Sequence, residues 1–202
     1  METRHIALFG GAFDPPHLGH VAAIRQVQNS GLVDEVWVVP AGDRSDKRYS
    51  ASSADRRKMV ELMLEECFPG QLDVSLHLAQ IEASAKYSTT IGLLDELTRR
   101  FKEHNFYVLI GTELVRDLPT WVEPERLRKS AAFLVIERPG EGQVKPPEGY
   151  NARIVPQMPG CGVNVSSTQL RAKLSTGEIE SLMPKSVAAW ISKRNLYKTG
   201  CL

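Results

Sequence analysis

The chain has 202 residues, with 25 Lys and Arg against 24 Asp and Glu, and a formal net charge of +1. That length suits one substantial α/β domain whose core needs neither disulfides nor a structural metal. The even charge balance excludes the broad basic footprint of a nucleic-acid binder. Cys67, Cys161 and Cys201 are scattered and form no CxxC pair, so they read as reduced thiols rather than a zinc or disulfide framework. No apolar run approaches the roughly 20 residues a bilayer requires, and Met1–Phe9 lacks the layout of a signal peptide. A cytoplasmic protein with no membrane or nucleic-acid partner is expected, and a homo-oligomer remains compatible.

Arg4–Phe9 (RHIALF) reads as a buried strand, followed by a Gly/Pro-rich turn and a helix over Leu18–Asn29. Glu35–Val39 is a second strand, ended by Pro40. A polar loop then leads to a helix from Ser53, with Ser53 and Asp55 as caps and Met59, Leu62 and Met63 on one face. Leu72–Leu76 reads as a strand, and Thr89–Lys102 as a helix turning Ile91, Leu94 and Leu97 inward. Phe106–Ile110 and Ala132–Ile136 are continuous apolar runs, the pattern of parallel strands covered on both faces. After the Pro/Gly-rich connector Glu141–Tyr150 come a weak strand near Arg153–Val155 and helices over Ser167–Leu174 and Lys185–Arg194. The alternation predicts an α/β fold, a doubly wound, mostly parallel, Rossmann-like sheet. Residues 1–202 form a single domain, with 166–202 as its small C-terminal helical part. Ligands of such sheets bind beyond the carboxyl ends of the strands.

The first of those ends carries Gly10–His20, GGAFDPPHLGH. Gly10 and Gly11 let backbone approach a ligand closely, with Ala12 and Phe13 following in the same turn. His17 and His20, three apart at a helix start, put two imidazoles on one face beside N–H groups that have no intrahelical partner. That combination makes a phosphate site. Neither a P-loop nor a G-x-G-x-x-G fingerprint is present, and no nearby third ligand completes a zinc site. The bland alternative is two surface histidines after a loop. Far along the chain, Val165–Arg171 (VSSTQLR) offers Ser166, Ser167 and Thr168 at a helix start and Arg171 one turn later. Alone, such a segment is usually only an N-cap. Paired with the histidine turn, it reads as a second phosphate contact.

GGAFDPPHLGH resembles the G-x-F-D-P-x-H-x-G-H signature of the nucleotidyltransferase superfamily, and VSSTQLR resembles its I-S-S-T-x-[IL]-R motif. LIGTELVRDLPTW with FLVIERPG is similar to the G-x-D, LP-x-W and RPG block of nicotinate- and nicotinamide-nucleotide adenylyltransferases, and Leu182–Tyr197 to their closing helix. The likeness implies a nucleotidyltransferase fold and transfer of AMP from ATP, with Mg2+, to the phosphate of a pyridine mononucleotide. It implies catalytic roles for His17, His20, Lys47 and Arg171. It assigns ATP contacts to Gly10, Gly11, Ala12, Phe13, Gly111, Glu113, Ser166, Ser167 and Thr168. Lys47, Arg56, Tyr87, Ser88, Trp121 and Arg138 fall to the acceptor, and no protein-held metal is implied. Trp121 suits stacking on a flat pyridine ring, with a Trp packed on the flank as the alternative. Trp37 and Trp190 read as core or flank. Three departures stand out: Ala12 replaces a Thr or Ser, Glu113 an Asp, and Lys86–Ile91 (KYSTTI) lacks the Asp of S-Y-T-x-D-T. Rival expectations are another phosphorylated acceptor, such as phosphopantetheine or a sugar or polyol phosphate, and a nucleotide-binding regulator without turnover.

Overall fold

The computed structural model describes residues 2–42, 48–76, 89–137, 144–157, 165–175 and 182–198. Six strands carry the fold: β1 (His5–Gly11), β2 (Glu35–Pro40), β3 (Val74–Leu76), β4 (Asn105–Gly111), β5 (Ala132–Ile136) and β6 (Asn151–Val155). They form one sheet in the order β3-β2-β1-β4-β5-β6, and every neighbouring pair is parallel. The helices are α1 (Leu18–Asn29), α2 (Ser53–Cys67), α3 (Thr90–Arg100), α4 (Thr112–Val115), α5 (Pro124–Ser130), α6 (Ser167–Ser175) and α7 (Lys185–Arg194), with a 3-10 turn at Leu118–Thr120. None among the described residues is long and apolar enough to cross a membrane.

Both faces of the sheet are covered, which is why its strands read as unbroken apolar runs. Ala7, Val36, Val38, Leu109 and Leu134 face one cluster, shared with α1, α2, α6 and α7. Ile6, Leu8, Trp37, Val108 and Phe133 face the other, shared with α3 and α5. Leu170, Leu174, Val187 and Ile191 of the C-terminal helices belong to the same cluster as Val21, Ile24 and Met59, so among the described residues that region packs into the main core.

Several boundaries differ from the sequence expectation for identifiable reasons. The N-cap of α2 is Ser52, whose hydroxyl accepts from Asp55 N at 3.1 Å, rather than Ser53 or Asp55. Asp55 instead accepts from Trp190 Nε1 and Arg194 Nε, each at 3.2 Å, and so fastens α7 to α2. Burial opposes its charge, but the Ser52 hydroxyl, Arg194 and Trp190 outweigh that and hold its carboxyl below the usual range. Strand β3 begins only at Val74, because Leu72 lies in a turn and is 93% exposed. Thr89 caps α3 by accepting from Gly92 N and is not in the helix. The short elements α4, the 3-10 turn and α5 give too little periodicity to be read in advance.

The strand order reverses at β1 and β4. Their pairing ends at Leu8 and Val108, although the strands run on to Gly11 and Gly111. They therefore splay at their carboxyl ends, and a crevice opens at the reversal point.

Candidate functional site

A cleft of about 830 Å³, open mouth included, occupies that splay. Its floor comes from Phe9, Gly10 and Leu109–Gly111, one wall from His17, Gly19 and His20, and another from Glu113, Glu137 and Val165. Gly10 borders open space, with nothing within 4 Å of where a Cβ would stand. The turn itself is tightly held. Ala41 N donates to Gly11 O at 2.7 Å, and Phe13 is buried in the left-handed region at φ 50°. Such torsions are uncommon for a bulky residue and persist only where surroundings enforce them. Here the Phe13 ring is held edge-on to Phe9 at 5.6 Å and lies 4.8 Å from the His20 ring.

His17 is the N-cap residue of α1 and His20 its third helical residue. The two rings lie 3.7 Å apart, centre to centre, at 31°. His17 N donates to His20 Nδ1 at 3.1 Å. With Nδ1 accepting, a neutral His20 carries its proton on Nε2, the tautomer that can donate to an anion. Gly19 makes this packing possible, because a Cβ there would stand 2.9 Å from His17 Nδ1 and 3.2 Å from Val165 Cγ1.

The distant Ser-Ser-Thr segment meets the histidine turn directly. Ser167 Oγ donates to Pro15 O at 2.9 Å, and Arg171 Nη1 donates to Asp14 O at 2.7 Å. Arg171 Nη2 also reaches Thr168 Oγ1 at 3.2 Å. Ser166 and Gln169 form a reciprocal cap, Ser166 N to Gln169 Oε1 at 3.0 Å and Gln169 N to Ser166 Oγ at 3.3 Å. That arrangement is the capping box of an S-x-x-Q sequence. Ser166 thus shapes the helix start, and the Ser167 hydroxyl is directed at the turn. The start of α6 still presents N–H groups with no intrahelical partner.

Asp14, unassigned by sequence reasoning, joins these parts. It is 4% exposed, and its carboxylate accepts from Ser50 N at 2.7 Å, Ala51 N at 3.0 Å and the Tyr197 hydroxyl at 2.8 Å. Burial and then the Asp14 charge push the Tyr197 hydroxyl well above the usual phenol range, so it stays protonated. Gln26 is a second unforeseen contributor. Its amide donates to Val155 O at 3.1 Å and Pro156 O at 2.9 Å while its side lines the cleft. No periodic signal marks either residue.

The remaining expected residues fall into three groups. Gly111 and Glu113 line the cleft with the histidines, the Glu113 carboxylate lying back over Gly111 where a Cβ would otherwise be. Arg56, expected at the acceptor, is wholly buried beneath the turn. It donates to Ala12 O at 3.0 Å, Ala41 O at 2.5 Å and Ala51 O at 3.3 Å, and lies 4.1 Å over the Tyr49 ring. Trp121 is half-buried, edge-on to Phe133 at 6.3 Å on the α3–α5 side, outside the lining of this cleft. Lys47, Tyr87, Ser88 and Arg138 lie outside the described residues.

Chemically, the cleft offers two imidazoles beside open backbone at Gly10, and the Arg171 guanidinium and the start of α6 are held against the turn that precedes the histidines. This is a cradle for a polyphosphate.

Comparison with known proteins shows the family. The cytidylyltransferase-like family profile matches residues 8–173. A protein of Exiguobacterium sibiricum named "Probable nicotinate-nucleotide adenylyltransferase" is 36% identical over 195 residues, covering 96% of this chain and 99% of its own. Its namesake from Halalkalibacterium halodurans is 32% identical over 199 residues, covering 97% and 92%. The solved structure of Plasmodium falciparum nicotinic acid mononucleotide adenylyltransferase complexed with NaAD is similar with a TM-score of 0.79. It covers 96% of this chain and 97% of that one at 24% identity, a likeness of fold. The chain belongs to the nicotinate-nucleotide adenylyltransferase family, within the cytidylyltransferase-like proteins.

Proposed function

We propose that the protein transfers AMP from ATP to the phosphate of nicotinate mononucleotide, releasing pyrophosphate, as a step of NAD biosynthesis in the cytoplasm. The observation that supports this is the contact of the Ser167–Arg171 segment with the Asp14–Pro15 turn that leads His17 and His20 into the β1–β4 cleft. An oxygen of the acceptor phosphate attacks the α-phosphorus in line. The new P–O bond forms as the bond to the bridging oxygen breaks, and pyrophosphate leaves with that electron pair. A phosphate oxyanion is already nucleophilic near neutral pH, so the protein's task is positioning and charge stabilisation.

His20 Nε2–H is assigned to the α-phosphate. His17, Lys47, Arg171 and the N–H groups of Ser167 and Thr168 are assigned to the departing pyrophosphate, where donors aimed at developing charge have most effect. Backbone at Gly10, Gly11, Ala12 and Phe13 admits the phosphates, and Gly111 with Glu113 receives the nucleoside. Tyr87, Ser88, Trp121 and Arg138 are assigned to the acceptor, with Arg56 holding the loops behind it. Among the described residues no three His, Cys, Asp or Glu side chains are grouped to hold an ion. These donors would hold the phosphates, and Mg2+ would arrive on ATP and supply further charge neutralisation.

The test offers the pure protein ATP and Mg2+ with nicotinate mononucleotide, nicotinamide mononucleotide or phosphopantetheine in parallel, measuring pyrophosphate and adenylylated product. Nicotinate mononucleotide is expected to be turned over fastest. Turnover only with phosphopantetheine, or none with any acceptor, overturns the assignment.

A further inference from the structure

The buried Asp14 carboxylate pairs with the Arg171 guanidinium only at long range. Arg171 Nη1 stands 4.0 Å from Asp14 Oδ2, yet donates at 2.7 Å to the Asp14 backbone carbonyl. A carboxylate beside a guanidinium ordinarily draws it into a paired, charge-assisted contact. What fills the carboxylate instead is backbone N–H from Ser50 and Ala51 and, on Oδ1, the Tyr197 hydroxyl at 2.8 Å.

The route by which that hydroxyl arrives is unusual. Helix α7 ends at Arg194, and two of the next three residues, Asn195 at φ 52° and Tyr197 at φ 64°, adopt the left-handed region. Asn tolerates that conformation, whereas an aromatic residue seldom does. Leu196 N donates back to Ile191 O at 3.0 Å, and Leu196 and Tyr197 both pack against the core cluster of α1, α2, α6 and α7. The chain therefore accepts a disfavoured torsion to return a phenol to the first turn, 183 residues away in sequence.

We propose that Tyr197 is a positioning residue. Its hydroxyl satisfies the Asp14 carboxylate and thereby keeps the Arg171 guanidinium on the Asp14 backbone carbonyl, turned toward the triphosphate. The inference rests on the function proposed above. Without the hydroxyl, Asp14 Oδ1 keeps only the Ala51 N–H, and the buried carboxylate, one donor short, draws in Arg171, the cation that stands 4.0 Å from its other oxygen. Closing 4.0 Å to a bonded distance carries the guanidinium onto Asp14 and away from the nucleotide.

The test is a double-mutant cycle in the full chain, with ATP and Mg2+ binding measured by calorimetry in the absence of acceptor. Tyr197→Phe is expected to weaken ATP binding about five- to tenfold, as when one charge-assisted phosphate contact is largely lost. KM for nicotinate mononucleotide at saturating ATP should stay unchanged. In an Arg171→Ala background the same substitution should change ATP binding by less than about twofold, since contacts acting through one group are not additive. Equal effects in both backgrounds, unaltered ATP affinity, a raised acceptor KM, or a Tyr197→Phe chain unfolded at 25 °C would each make the hydroxyl a stability element and overturn the proposal. A wild-type chain that binds ATP but turns over none of the acceptors defeats the proposed function. A wild-type chain that turns over while the cycle is additive defeats this inference alone.

Discussion

Gly19→Ala separates the placement of His17 from the stability of the helix that carries it. In a helix interior alanine is favoured over glycine by about 1 kcal/mol, and at this second position of α1 by less, so propensity alone predicts a small gain. The packing opposes it. A Cβ at this position would stand 2.9 Å from His17 Nδ1, 3.0 Å from Cε1 and 3.2 Å from Val165 Cγ1. Comfortable contacts begin near ~3.5 Å, so the imidazole must retreat by roughly half an ångström. Overpacking of this kind costs about 1–3 kcal/mol. Set against the propensity gain, the net loss is about 1 kcal/mol, or about 2–4 °C in Tm for a chain of this length. Activity should suffer more, because misplacing a reacting group by ~1 Å can cost about a hundredfold. A fall of about tenfold in kcat is expected. The assay is pyrophosphate release at saturating ATP and nicotinate mononucleotide, with thermal melts on the same preparations. Gly10→Ala is the control: a Cβ there meets nothing within 4 Å, but it projects into the cleft. It should leave Tm unchanged and raise KM for ATP. A Gly19→Ala enzyme with wild-type kcat would refute the packing account of His17.

His20→Ala should lower kcat by about a hundredfold or more, the usual consequence of losing one transition-state donor; near-normal turnover in a folded variant would remove His20 from the chemistry. Ser167→Ala should lower Tm by about 2–4 °C and kcat/KM with it, because the hydroxyl donates to Pro15 O and holds the turn; a loss of activity with no change in melting would instead put that hydroxyl on phosphate. Glu66 accepts from Lys185 N at 3.0 Å and Ser186 N at 2.7 Å, capping α7 from α2. Burial opposes its charge, but the Ser186 hydroxyl and N–H and the Lys185 N–H outweigh that and hold its carboxyl below the ordinary 4.5. Because the folded value is depressed, its stabilisation is complete above about pH 4.5 and fades as pH falls through the lower folded value. Glu66→Gln should therefore cost a few tenths of a kcal/mol up to about 1 kcal/mol at pH 7 in urea melts, since the carboxylate is exposed and screened by water, and the gap to wild type should close as the pH is lowered below 4.5.

Much of the fold was legible because its strands are buried on both faces and its helices carry one apolar face each. Ile91, Leu94 and Leu97 point inward as their spacing requires, and α1 and β5 have the predicted bounds. What escaped were short elements without room for a period, such as α4 and the 3-10 turn before Trp121. The surroundings of Arg56 were hidden for another reason. Its match to the family's Arg at that helix start placed it at the acceptor, and spacing gave no sign that it lies buried under the first turn and donates to three loop carbonyls. Charge type alone does not distinguish a guanidinium aimed at a ligand from one aimed at the backbone beneath it.

The same ambiguity runs through the motifs themselves. A phosphate and a peptide carbonyl both want hydrogen-bond donors, so a segment rich in Ser, Thr and Arg can be built to serve either. In this chain it serves the carbonyls first: Ser166 caps α6, and Ser167 and Arg171 clasp the carbonyls of Pro15 and Asp14, so the rest of the Arg171 fork and the helix-start N–H groups are what the proposed function gives to an anion. These clasps join residues 152 and 157 positions apart, and the Tyr197 contact spans 183. Local spacing carries no trace of such pairs. They nonetheless fix where the histidines stand, since a turn with a buried carboxylate and a left-handed Phe13 holds one shape only while its partners are in place. Two motifs at opposite ends of the chain are therefore one structural unit. Substitutions in the second should disturb the geometry of the first even where the second never touches nucleotide.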